Sequence, residues 1–309
     1  MSWSSSFSLF RDTLKRGLQL PAACLLCTNL APAATPLAII PISTARDIIM
    51  VPVSLNGSNG LSFKLDSGFS MTMIHPDLAL AHGLRRAGEI TVSGIAGDEQ
   101  APTYEGAVFN LGGANYEPRR VAALTSDVNR RRRRDGILGS GLFRQYVVEP
   151  DFGRRQLALY APTNFSYDGK GEVIPLRFRR GHTTPIISAD IHMTNGTAIR
   201  GEFEIDTGCD SGVCLGHEFI ATHHLLDDAD TRAGGKFGVG GGTKTRSGHL
   251  PRLQIGAASV EQPQTDFFLE GSPVDAGLAG HIGIGTLKHF KVIFDYSRQQ
   301  MILEQPVVR

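Results

Sequence analysis

Phe63-Lys64-Leu65-Asp66-Ser67-Gly68 and, far downstream, Phe203-Glu204-Ile205-Asp206-Thr207-Gly208 are two versions of one stretch. In each, an aromatic and an aliphatic residue alternate with a single charged one. Successive side chains of a strand point to opposite faces, so the pattern predicts a half-buried strand. Phe63, Leu65, Phe203 and Ile205 are expected to face the core, and Lys64 and Glu204 to face water. Each strand then stops at Asp, a small hydroxyl residue and Gly. Taken singly these tripeptides are ordinary turns, because Asp and Ser bond nearby backbone and Gly accepts positive φ. Their meaning depends on what repeats around them.

Working outward, the second half of the chain replays the first. Leu55 leads into Asn56-Gly57, and the run Ile191 to Thr194 leads into Asn195-Gly196; both are hairpin signals. Each Asp turn is followed by a short apolar strand and a helical stretch, His75 to Gly83 and His217 to Leu226. A long glycine-bearing hairpin comes next in both halves, with tips at Gly94 to Tyr104 and Gly238 to Gly248. Ile137 to Gly141 matches His281 to Gly285, and Tyr146 to Arg154 matches Phe290 to Arg298. The offset is nearly the same at the Asp motif and at the closing hairpin, as expected for a duplicated unit. The polar segment Ala161 to Gly171, with Pro162 and Gly169, reads as the connection between lobes. The expected division is 1–33, then a lobe over 34–165 with the first Asp motif, then a lobe over 166–309 with the second.

Composition agrees with this layout. Apolar content of 41% and charged content of 20% fit a globular chain of 309 residues. Gly is 36 of these, well above the usual ~7%, which favours tight turns and strands over helices. A net charge of +1 gives no electrostatic footprint for nucleic acid. No apolar run reaches the ~18 residues of a membrane span, so no stable membrane insertion is expected.

The first residues read differently. Arg11, Lys15 and Arg16 precede an apolar stretch, Leu18 to Leu30, and Ala31-Pro32-Ala33 offers small residues for cleavage. Residues 1–33 are read as a secretory signal, which places the mature protein in the periplasm or outside the cell. Neither Cys24 nor Cys27 has the Leu three residues earlier that a lipoprotein anchor wants. Cys209 and Cys214 remain. An extended strand after Gly208 would hold them too far apart to bridge, although a turning segment would allow it; the simpler expectation is two small buried hydrophobes.

Two related lobes pack about a pseudo-twofold axis, on which one Asp turn from each can meet. Two carboxyls sharing a site cannot both ionise comfortably, so one pKa rises and the other falls. The ionised one can take a proton from a water held between them, and the protonated one can hydrogen-bond a substrate carbonyl. No metal, cofactor or covalent intermediate is needed, and such a pair implies a bell-shaped pH profile with its optimum on the acid side of neutrality.

Asp66-Ser67-Gly68 and Asp206-Thr207-Gly208, each followed by an aliphatic-aliphatic-Gly segment and a closing hairpin, resemble the aspartic proteases, and most closely the bacterial retropepsin-like aspartyl proteases. The resemblance also covers Leu55-Asn56-Gly57, Asp135 to Phe143 and Val148 to Leu159, nearly all of the mature chain. It implies a mostly β acid-protease fold of two homologous barrel-like lobes with few short helices. It implies an aspartic endopeptidase with Asp66 and Asp206 as the catalytic pair, supported by Ser67, Gly68, Thr207 and Gly208. Ser67 and Thr207 would cross-bond the two turns. The long hairpins would be substrate-covering flaps over an extended polypeptide, and a monomer would be sufficient for the site. Phe69 and Cys209, after the turn glycines, depart from the family's small residues, and His281 from its aliphatic one. The alternative is a weak or inactive peptide-binding protein on the same fold. A third reading is self-processing at Arg130 to Arg134, a run otherwise expected to be an exposed loop.

Other motifs point nowhere. His217-Glu218 with His223 and His224 lacks the helical zinc spacing, since Ala221 stands where the second His belongs. Gly238 to Gly242 lacks the Lys-Ser/Thr of a phosphate loop, and no Gly-x-Ser-x-Gly elbow is present.

Overall fold

The computed structural model describes residues 34–124, 134–227, 229–270 and 277–305. The expected secretory signal over 1–33 lies outside them, as do four of the five arginines of the Arg130 to Arg134 run. Arg134 itself is described. It is buried, which differs from the exposed loop expected at that position.

Among the described residues the chain is mostly β, with four short α-helices. The first nine-stranded sheet runs, edge to edge, Arg85–Gly94, Gly97–Glu105, Val121–Ala123, Met73–Ile74, Gly136–Leu138, Ser58–Leu65, Met50–Leu55, Phe109–Leu111, Ala114–Tyr116. The second runs Arg232–Gly238, Gly241–His249, Gln264–Phe268, Val213–Leu215, Gly280–Ile282, Ala198–Ile205, Ile186–His192, Arg252–Ile255, Ala258–Glu261. The two orders correspond strand for strand, so the duplication inferred from motif spacing is a duplication of topology.

Local chemistry explains the central strands. Asn56-Gly57 has positive φ at both residues, 47° and 84°, the geometry of the tight turn that matches strand twist. It returns the chain from Met50–Leu55 into Ser58–Leu65. Asn195-Gly196 works differently: only the Gly is left-handed, and the Asn195 side chain accepts from Thr197 N in a longer loop. Each Asp-bearing strand pairs in parallel with the segment behind it, Leu65 opposite Leu138 and Ile205 opposite Ile282. The amides of Asp66 and Asp206 continue these ladders, each donating at 3.0 Å to Leu138 and Ile282.

A six-stranded sheet joins the halves, in the order Ala38–Pro41, Gln156–Tyr160, Val147–Asp151, Lys291–Asp295, Gln300–Glu304, Glu172–Pro175. Three strands come from each side of the chain, and Val148 opposite Phe294 is the central contact. Pro41 and Pro175 sit on the two edge strands, where a missing N–H costs no ladder bond. Phe143 packs edge-on to Phe294 at 5.3 Å and stacks on Tyr296 at 5.4 Å, fastening the halves with apolar surface. The connecting segment is held against this sheet. Phe165 is buried with Val147, Ile293 and Ile302, and Tyr167 Oη donates to Glu304 Oε1 at 2.6 Å.

Candidate active site

The strand alternation sets the site. Phe63, Leu65, Phe203 and Ile205 are fully buried in the main core, as their period requires. Residues two apart share a face, so Lys64 stands beside Asp66, and Glu204 beside Asp206. Lys64 and Glu204 were expected in water; they are 8% and 9% exposed. Both belong to central strands, and their second face turns toward the meeting point of the turns instead of solvent. A charge can stay there only if paired, and both are.

The turns interlock reciprocally. Ser67 N donates to Thr207 Oγ1 at 2.8 Å and Thr207 N to Ser67 Oγ at 3.0 Å. Each hydroxyl then donates to the carbonyl before the opposite Asp, Ser67 Oγ to Ile205 O at 2.7 Å and Thr207 Oγ1 to Leu65 O at 3.2 Å. All four groups are buried, so each bond satisfies an atom that water cannot reach. The glycines make the approach possible. A Cβ on Gly68 would lie 2.6 Å from Asp206 Oδ1, and one on Gly208 would lie 2.1 Å from Asp66 Oδ2. The backbone of each turn is therefore the seat of the other turn's carboxyl, and the Asp66 and Asp206 carboxyls are near enough for each to feel the other's charge.

The surroundings of the two carboxyls differ. Lys64 Nζ lies 2.9 Å from Asp66 Oδ2. At the equivalent place in the second lobe stands Glu204, whose cross-strand neighbour is His281. His281 bridges, with Nε2 at 2.9 Å from Glu204 Oε2 and Nδ1 at 3.3 Å from Asp206 Oδ2. Burial raises the Asp66 pKa, helped by Asp206 and opposed by Lys64, and the net direction is upward. Burial also acts to raise Asp206, but the His281 hydrogen bond and charge, Lys64 and the Gly208 N–H outweigh it and hold Asp206 well below the usual carboxylate range. Burial works against protonated His281, yet its bonds to Asp206 and Glu204 carry it well above 6.5. Three carboxyls thus meet two cationic groups, and one proton shared by the aspartates makes the cluster neutral.

The two long hairpins reach toward each other. Ala96 N donates to Val239 O, and Gly240 N to Glu99 Oε1, both at 3.4 Å. Val239, at the second tip, packs in an apolar cluster with Met73, Val92, Ala101 and Ile137, against which Phe69 also packs. The bulky Phe69 is thereby absorbed as an apolar contact next to the first turn, and its carbonyl accepts from Ser140 N at 2.8 Å.

Comparison with known proteins agrees with this fold. Residues 51–142 match the family described as aspartyl protease. The crystal structure of aspartic proteinase from Irpex lacteus superposes with a TM-score of 0.59 at 16% identity, over 87% of this chain and 97% of that one. The fold is that of the aspartic proteinases. No curated protein sequence matches.

Within this aspartic proteinase fold the remaining sequence candidates separate clearly. His217 opens the helix His217–Thr222, His223 packs at a tilt against Phe219, and His224 faces Asp227 at 3.4 Å on the surface. Among the described residues no group of three or more His, Cys, Asp or Glu is arranged to hold a metal. No described helix is long and apolar enough to cross a membrane. Cys209 and Cys214, which an extended segment would have held too far apart to bridge, approach to 3.1 Å between sulfurs, because the intervening residues turn. Sequence reading missed the roles of Lys64 and Glu204. The available signal was their spacing, two residues before each Asp on the same strand face.

Proposed function

We propose that this chain is an aspartic endopeptidase in which a water between Asp66 and Asp206 attacks the peptide carbonyl. The observation that carries this reading is the interlocked pair of turns, which seats the carboxyl of each turn against the glycine of the other. The match of residues 51–142 to the aspartyl protease family and the aspartic proteinase fold support peptidase chemistry generally.

The asymmetry supports the following division of roles. Asp206, held ionised by His281, takes the proton from water. Asp66, held protonated by burial and by the neighbouring anion, donates to the carbonyl oxygen as it becomes an alkoxide. The tetrahedral intermediate collapses when the proton on Asp206 passes to the leaving nitrogen and the C–N bond breaks. Asp66 recovers its proton in the same step. An extended polypeptide would lie beneath the two hairpins, bonding through its backbone to their edges. Neither a metal nor a cofactor enters this scheme. Residues 1–33 would direct export, and N-terminal sequencing of the secreted protein tests that part.

One observation favours a second reading, a peptide-binding protein without turnover. The Lys64 ion pair stabilises ionised Asp66, and two ionised aspartates leave no acid for the carbonyl. Cleavage of an unfolded protein by the wild type, Asp66→Asn and Asp206→Asn decides between them. Loss of about 10²-fold or more in both variants, with the fold intact, is expected for a catalytic pair. Peptide binding by the wild type without cleavage at any pH would favour the second reading.

A further inference from the structure

Cys209 follows directly on the Asp206 turn, and Cys214 lies in the strand Val213–Leu215. Fully extended, the five steps between them would separate their backbones by about 17 Å. Instead the loop folds back around the start of the helix Ile284–Leu287. Ile284 N donates to Cys209 O at 2.9 Å, Gly283 N to Gly212 O at 3.0 Å and Gly285 N to Ser211 O at 3.1 Å. The approach is close enough that a Cβ on Gly283 would sit 2.4 Å from Ser211 O and 2.6 Å from Cys209 O. Three backbone bonds therefore hold the two sulfurs together.

The surroundings favour thiol chemistry on one side of the pair. Cys214 is 3% exposed, whereas Cys209 is half-buried and the more accessible of the two. The hydrogen bond with Cys214 lowers the Cys209 pKa, with His281 and Lys236 acting in the same direction against burial and Asp206. Lys236 comes from the second long hairpin and is anchored by Asp210 at 2.7 Å and Asp266 at 2.8 Å. The equivalent places in the first lobe hold Phe69 and Met73, so the fold itself does not demand two thiols here.

We propose that Cys209 and Cys214 form a reversible dithiol–disulfide couple, a redox modification site built into the loop behind Asp206. With hydrogen peroxide as oxidant, the Cys209 thiolate attacks one oxygen and the O–O bond breaks. The departing hydroxide takes up the thiol proton as water, leaving a sulfenic acid on Cys209. The Cys214 sulfur then attacks the Cys209 sulfur. The S–S bond forms, the S–O bond breaks, and the leaving hydroxide combines with the Cys214 proton as a second water. Two electrons pass from the thiols to peroxide, and a dithiol reductant reverses the exchange. Cys214 is the cross-strand neighbour of His281, so the disulfide ties the Asp206 turn to the strand beside the bridging imidazole.

The couple is tested without any assay of cleavage. One tryptic peptide, residues 201–232, contains both cysteines. The full chain is treated with hydrogen peroxide, alkylated with iodoacetamide, digested and weighed. The expected peptide is two hydrogens lighter than the dithiol form and unalkylated, and dithiothreitol restores two alkylation sites. The oxidised protein should also melt at a higher temperature than the reduced one. In Cys214→Ser, peroxide should leave Cys209 as a sulfenic acid captured by dimedone. Two cysteines still fully alkylated after peroxide, or oxidised separately to sulfinic acids, would overturn the proposal. The wild-type mapping gives that answer even if the variant does not fold.

Discussion

His281 Nδ1 lies 3.3 Å from Asp206 Oδ2, and this contact makes the two turn aspartates unequal. A pseudo-symmetric pair would share its proton evenly. Here the second lobe supplies an imidazolium tied to Glu204, where the first lobe has Ile137. A proton held between the two carboxyls is therefore expected on Asp66.

His281→Gln removes the hydrogen bond and charge that depress Asp206. The base must be ionised, so activity falls on the acid side as pH drops through the Asp206 pKa. Raising that pKa moves the acid limb of the kcat/KM profile to higher pH. An acid limb unmoved in a folded variant would refute the role given to His281.

Lys64→Met removes a charge that lowers both aspartates, as the ion pair with Asp66 and the field at Asp206 require. Asp66 must be protonated, so activity is lost as pH rises through its pKa. With both pKa values raised, the whole bell should shift toward alkaline pH. Cleavage that appears only in this variant would mean that Lys64 silences the native site.

Stability should carry the same signature. The His281 pKa is raised on folding, so its contribution is complete below 6.5 and is lost as pH rises through the folded value. The melting-temperature penalty of His281→Gln should therefore be largest below pH 6.5 and shrink in alkaline buffer. A penalty independent of pH would indicate packing alone.

Thr207→Val keeps the side-chain shape but deletes the hydroxyl that accepts from Ser67 N and donates to Leu65 O. Two buried backbone groups lose their partner, at a cost of about 1–3 kcal/mol. Urea unfolding measures this directly, and a loss of turnover should accompany it because the turns then move independently. A variant as stable and active as the wild type would remove the hydroxyl bridge from the argument.

Gly208→Ala tests how closely the turns approach. The added carbon would fall 2.1 Å from Asp66 Oδ2, so the carboxyl or the turn must shift. Overpacking of this kind costs about 1–3 kcal/mol. Turnover should drop far more than that loss of stability explains. Normal cleavage by Gly208→Ala would place the carboxyls farther apart than described.

Much of this protein is legible in local sequence. Phe63, Leu65, Phe203 and Ile205 alternate as strands must, Asn56-Gly57 sets a tight turn by its positive φ, and the repeated Asp motifs announce two equivalent lobes. These features depend on residues close along the chain, where alternation and turn chemistry act. What lay across the fold was not legible. Lys64 and Glu204 read as solvent charges because alternation says only that a face is not the core. The opposing lobe decides whether that face is wet. His281 is 75 places from Asp206, and only parallel strand pairing brings its imidazole between two carboxylates. Cys209 and Cys214 are five apart in sequence, yet their contact is decided by Gly283, Ile284 and Gly285, whose amides bend the loop from outside it. Local residue order determined the strands and turns; long-range packing, which desolvates some charges and pairs others, determined the electrostatics where the two turns meet.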